Sequence, residues 1–63
     1  MDRVVAEVIW SADDGGYYVE IVDRHTGKTI ETLPPGPTVY KKRASASRHG
    51  WTRARALNEL CEG

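Results

Sequence analysis

The 63-residue sequence has one cysteine, one methionine, no phenylalanine and no excess of either charge, nine Lys and Arg standing against nine Asp and Glu. Each shortage excludes something. The lone Cys61 cannot close an internal disulfide, and no Cys/His group has zinc-site spacing, so neither a cross-link nor a structural metal is expected to hold the chain together. No apolar run between Met1 and Tyr18 is long enough for a signal-peptide core, and none anywhere approaches the ~18 residues of a spanning helix. The expectation is a soluble, cytoplasmic protein with no membrane partner. A chain this short buries only about 60% of the surface its unfolded form exposes. A small, well-packed core or association is then left to stabilise it, and a homodimer is the default expectation.

Charge is balanced in total but not along the chain. Asp2, Glu7, Asp13, Asp14, Glu20, Asp23 and Glu31 outweigh Arg3, Arg24 and Lys28 in residues 1–40, whereas Lys41, Lys42, Arg43, Arg48, Arg53 and Arg55 outweigh Glu59 and Glu62 thereafter. Such an asymmetry fits an anionic partner or a self-complementary surface.

Two β-branched runs, Arg3 to Trp10 and Gly16 to Asp23, flank the turn-forming SADDGG with its Asp14-Gly15 step, and predict a hairpin. A second turn at Arg24 to Gly27 leads into a shorter strand, Lys28 to Leu33, where Gly27 suits a left-handed conformation. Pro34-Pro35-Gly36-Pro37 then ends the third strand, since each proline removes a ladder donor. Beyond this link, Tyr40, Ala44, Ser47, Trp51, Ala54, Leu57 and Cys61 follow helical spacing, predicting a helix that starts between Lys41 and Ser47. The fold expected is α+β: one domain over residues 1–63, a three-stranded antiparallel meander with a C-terminal helix on one face (βββα).

Strict alternation puts Val4, Ala6, Val8, Trp10, Val19, Ile21 and Ile30 on the core face. Trp51 is expected to anchor the helix there, so that its truncation would cost ~3–5 kcal/mol. The opposite face would hold Glu7, Glu20 and Glu31 together with Val5, Ile9, Tyr18, Val22 and Leu33, more apolar surface than a solvated sheet usually shows. Val5, Ile9, Tyr18, Val22 and Leu33 are therefore the candidate dimer face. Gly50, placed inside a helix at ~1 kcal/mol relative to Ala, implies a close approach to the sheet or a kink.

Catalytic chemistry finds no support. Thr26-Gly27-Lys28-Thr29 resembles the end of a phosphate-binding loop, but Val22 stands where the first glycine is needed and a strand follows where a helix is needed. Asp13 and Asp14 are turn formers in water. His25 and His49 lack metal-ligand neighbours, while Ser45, Ser47 and Cys61 lack a base and an orienting acid, with Cys61 better read as a buried structural thiol. Pro34-x-x-Pro37 is too short a linker to serve as a docked proline helix. No enzyme activity, no cofactor, no metal and no small-molecule substrate are expected. Lys41, Lys42, Arg43, Arg48, Arg53 and Arg55 are the candidate contacts to an anionic partner.

Gly16-Tyr17-Tyr18, Gly27-Lys28-x-Ile30 and Tyr40-x-x-Arg43-Ala44-Ser45-Ala46 followed by Gly50-Trp51 resemble the YegP-like family of small βββα units, over roughly residues 6 to 57. Members look like tandem or paired single units, so the resemblance implies a homodimer for a chain with one unit, and it implies no activity. Over shorter stretches the opening strand with Asp14-Gly15-Gly16-Tyr17 looks like HicB-type antitoxin domains. The order of sheet then basic helix looks like the arm-binding domain of phage integrases. The expected function is a small non-enzymatic interaction module that binds itself and another protein as a regulator or inhibitor, with nucleic-acid binding through residues 41–55 as the alternative.

Overall fold

The computed structural model describes residues 3–36 and 38–62, with side chains described as far as Leu60. Three strands, β1 (Val4–Ser11), β2 (Gly16–Asp23) and β3 (Lys28–Leu33), precede one helix, α1 (Arg43–Glu62). The sheet is antiparallel in the order β1-β2-β3, and α1 lies across β1 and β2. The βββα architecture read from the sequence is the one observed. The helix starts inside the expected window. Pro37 and the Cys61 thiol, on which two expectations fell, lie outside the described residues and side chains.

Both turns are built from the residues that mark them in the sequence. Gly15 and Gly27 have φ of 68° and 75°, values that a side chain disfavours. Their N–H groups donate to Ser11 O at 3.0 Å and Asp23 O at 2.7 Å. The Asp23 carboxylate fixes the second turn by accepting the His25 N–H at 2.8 Å. The Arg3 guanidinium, at 3.2 Å, meets the same carboxylate from the start of β1. The Arg3 bond first, and then the His25 bond, hold the Asp23 carboxyl below its ordinary 3.8.

The proline link returns the chain to the sheet rather than leading it away. Tyr40 lies beside Tyr17, with N–H to O bonds of 2.7 and 2.8 Å in the two directions, and so continues the ladder of β2 past the end of β3. This approach requires Gly16. A Cβ there would stand 2.5 Å from Val39 Cγ2 and 2.7 Å from Tyr40 O. Tyr40 in turn stacks on His49 of α1, with centroids 5.0 Å apart and planes at 13°. His49 is oriented by donating from Nδ1 to Ser45 O at 2.7 Å, since a carbonyl can only accept.

Val4, Ala6, Val19, Ile21, Ala46 and Ala54 form the buried core, with Leu33, Tyr17, Tyr40, Val8 and Leu57 packed around it. Two features of the core differ from the expected pattern. The buried stripe of the helix is Ala46, Gly50, Ala54 and Asn58, at intervals of four, and Trp51 is 43% exposed on its shoulder. The cause is volume. β-branched Val4, Val19 and Ile21 fill the sheet side, so the helix must present small residues to come close, and a Cβ on Gly50 would lie 2.7 Å from Val19 Cγ1. Of the two readings of Gly50, close approach is the one observed.

The second difference concerns β3. Val22 pairs with Thr29 but Ile21 pairs with Glu31, so β3 carries one extra residue, a β-bulge that reverses its faces. Leu33, opposite Val19, therefore belongs to the helix side and packs on the core. Glu31 joins it there, within reach of Arg53. Ile30 goes to the other side and is 51% exposed. Strict alternation had assigned Ile30, Glu31 and Leu33 the opposite way, because a bulge leaves no mark in the hydrophobic pattern.

Candidate interaction surfaces

The sheet has one covered and one uncovered face. On the uncovered face β1 contributes Val5, Glu7 and Ile9, and these pair directly with Val22, Glu20 and Tyr18 of β2. Of the candidate dimer face, Val5, Ile9, Tyr18 and Val22 thus come together, Leu33 does not, and Ile30 takes its place at the β3 side. Nothing among the described residues covers them. At the centre of this apolar surface two carboxylates sit side by side, an arrangement that opposes sheet formation. Thr29 Oγ1 donates to Glu20 at 3.2 Å, and neither Glu7 nor Glu20 has an ion-pair partner among the described residues.

The edge of β1 is a second surface. Arg24 N–H donates to Arg3 O at 2.7 Å, which fixes the odd-numbered residues of β1 as those bonded to β2 and turns the N–H and C=O groups of the even-numbered ones outward. Asn58 satisfies the first of these: its Oδ1 accepts from Val4 N–H at 2.7 Å and its Nδ2 donates to Val4 O at 2.9 Å. Ala6, Val8 and Trp10 carry no such partner among the described residues. Two tryptophans border this stretch. Trp10, 57% exposed, leans edge-on against Tyr17 at 5.0 Å. Trp51 stands seven residues before Asn58, hence two turns up the same flank of the helix.

The sequence pattern does not single out Asn58, because an amide in a helix looks like a solvated residue. Its interval of four from Ala54 and eight from Gly50 was the available signal.

The basic residues do not form one patch. Lys41 and Lys42 lie just before α1 and Arg43 opens it, all exposed. Arg48 and Arg55 are exposed on the flank that also carries Trp51. Arg53 projects from the opposite flank and is engaged by Glu31, Nε to Oε1 at 2.7 Å and Nη2 to Oε2 at 3.0 Å. That bidentate bond holds the Glu31 carboxyl below its ordinary 4.5 and raises the guanidinium of Arg53. Part of the charge asymmetry between the two halves of the chain is therefore spent internally. Lys41, Lys42 and Arg43 have no ion-pair partner among the described residues, and the first turn of the helix carries no acid. Three cations at the positive end of a helix dipole oppose folding slightly.

Asp13 and Asp14 lie exposed in the first turn, where Ser11 Oγ donates to Asp14 Oδ2 at 2.8 Å. Among the described residues no three His, Cys, Asp or Glu side chains converge as metal ligands would, and no helix is long and apolar enough to cross a membrane. No family model, curated protein or solved structure matches the chain.

Proposed function

We propose that the chain is a small non-enzymatic interaction module that works in the cytoplasm as a homodimer and regulates or inhibits another protein through its uncovered sheet face. The observation that carries this reading is the grouping of Val5, Ile9, Tyr18, Val22 and Ile30 around the paired Glu7 and Glu20. A monomeric domain keeps its apolar side chains in the core and charges the solvent face of a sheet. Here the solvent face carries an apolar ring and two like charges that repel each other. A partner offering an apolar surface with a lysine or arginine at its centre relieves both costs at once. The resemblance to paired YegP-like units supports the homodimer. The test is affinity capture from the source cells with the wild-type chain and Tyr18→Asp side by side, followed by reconstitution with the purified captured protein. A partner held by the wild type and lost by Tyr18→Asp is expected; a partner indifferent to Tyr18 would contradict the reading.

One observation favours nucleic acid as a second reading. Lys41, Lys42 and Arg43 cluster at a helix start whose first turn carries no acid, without an ion-pair partner among the described residues, and phosphates would use them. Binding of this kind must weaken steeply with salt, with a log-log slope near −0.9 per phosphate neutralised on duplex DNA. Fluorescence anisotropy with mixed-sequence DNA and RNA at two salt concentrations, with Lys41, Lys42 and Arg43 reversed to Glu as control, measures it. No binding at low salt removes this reading.

A further inference from the structure

The free edge of β1 is short, and the fold sets both of its ends. Asn58 closes it at Val4, and the strand stops at Ser11. Between them only Ala6, Val8 and Trp10 present outward backbone groups. Edge strands are normally guarded by a lysine, a proline or an inward charge. This stretch has none of these, its one charge, Glu7, lying on the uncovered face.

We propose that this edge pairs with the same edge of a second copy, antiparallel and centred on Val8, giving a continuous six-stranded sheet with both helices on one face. The surface differs from the uncovered face, but the inference rests on the reading of the chain as an interaction module. Three observations select the occupant. The first is register. A two-fold pairing centred on Val8 sets Val8 against Val8 and Ala6 against Trp10 of the other copy, so all three free residues exchange both backbone bonds. A pairing centred on Ala6 or Val4 would require groups that Asn58 already holds.

The second is side-chain complementarity. Ala6, the smallest residue of the strand, falls opposite Trp10, the largest. On the other face Glu7 falls opposite Ile9, so no like charges meet directly.

The third is the helix. Because α1 lies across β1 and β2, two copies joined at β1 place their helix axes two strand spacings apart, about 10 Å. That is the separation at which helices pack. The flanks brought face to face are those carrying Trp51, with Arg48 and Arg55 further out, so the pairing covers both Trp51 and Trp10, two of the most exposed large apolar side chains among the described residues.

Val8→Pro tests the arrangement directly. The N–H of Val8 points away from β2, so proline there removes the central donor of the proposed pair while leaving the β1–β2 ladder intact. In sedimentation equilibrium the wild type is expected at twice the 7.0 kDa chain mass, and Val8→Pro at the chain mass with an unchanged circular dichroism spectrum. Amide exchange on the wild type answers the same question without a substitution. The Ala6, Val8 and Trp10 amides should be protected at high concentration and lose that protection on dilution. A wild type that stays monomeric at high micromolar concentration, or a dimer in which these three amides exchange freely, overturns the inference. Loss of the dimer in Tyr18→Asp but not in Val8→Pro overturns it too, while leaving the interaction-module reading in place. A β1-edge dimer that captures no protein through its uncovered face upholds it and counts against that reading.

Discussion

The carboxamide of Asn58 meets the backbone of Val4 as a neighbouring strand would, accepting from its N–H at 2.7 Å and donating to its C=O at 2.9 Å. A helical side chain thereby completes the sheet at the end of β1 and locks the helix to one position along it. Asn58 is itself buried, so the pair of bonds is made away from water.

Asn58→Ala should therefore destabilise the chain by about 1–3 kcal/mol, the cost of leaving buried backbone groups unpaired. In so small a domain this lowers the melting temperature by roughly 4–8 °C per kcal/mol. Thermal unfolding followed by circular dichroism measures it.

Ile21 and Trp51 should behave in the reverse of what their sizes suggest. Ile21 is fully buried and Trp51 is 43% exposed. Ile21→Ala should cost about 2–5 kcal/mol, enough to unfold much of a marginal domain. Trp51→Ala should cost under about 1 kcal/mol, provided the comparison is made at concentrations too low for association to contribute. Urea titrations of both variants against the wild type give the two values.

Gly50→Ala removes the weakest helix former from the interior of α1, which on propensity alone should gain about 1 kcal/mol. The new Cβ meets Val19 Cγ1 at 2.7 Å and Ala6 Cβ at 3.1 Å, and Val19 is fully buried. Overpacking costs about 1–3 kcal/mol. The net effect on melting is expected to be a loss, whereas a gain would show that the helix stands further from the sheet.

The fold was legible in the sequence because its punctuation is local: Gly15 and Gly27 take the left-handed turns, and the proline run ends the meander. The faces were legible where alternation is unbroken, in β1 and β2, although Trp10, expected in the core, is 57% exposed. In β3 the single extra residue of the bulge exchanged Ile30 with Glu31 and Leu33, and no composition signal announces a bulge. The helix was misread for a different reason. Large apolar residues drew the stripe through Trp51, whereas the sheet, already filled by valines and an isoleucine, accepts only Ala46, Gly50 and Ala54. The basic residues could be listed from the sequence, but their division between two flanks depends on the true helical face. So does the capture of Arg53 by Glu31.

Acid should weaken the fold through Asp23 and Glu31. Both carboxyls are held below their ordinary values of 3.8 and 4.5 in the folded chain, by Arg3 and by Arg53. A depressed folded value means that the stabilisation is complete above the unfolded value and is lost as pH falls through it toward the folded one. Melting temperature should thus be nearly level from neutrality to about pH 5 and fall below about pH 4. Asp23→Asn should show a shallower fall, read from the same series of melts.

The uncovered sheet face is tested by the affinity of a partner for it. Once a partner is in hand, its dissociation constant should be measured by calorimetry against the wild-type chain and against Tyr18→Asp, at concentrations where both are folded. Loss of a hot-spot tyrosine at the middle of a protein interface costs about 2 kcal/mol or more, which is a weakening of roughly 30-fold or greater. That loss, with the folded state of the variant unchanged, is the result expected. Equal affinities for the two chains would contradict it and move the binding surface elsewhere.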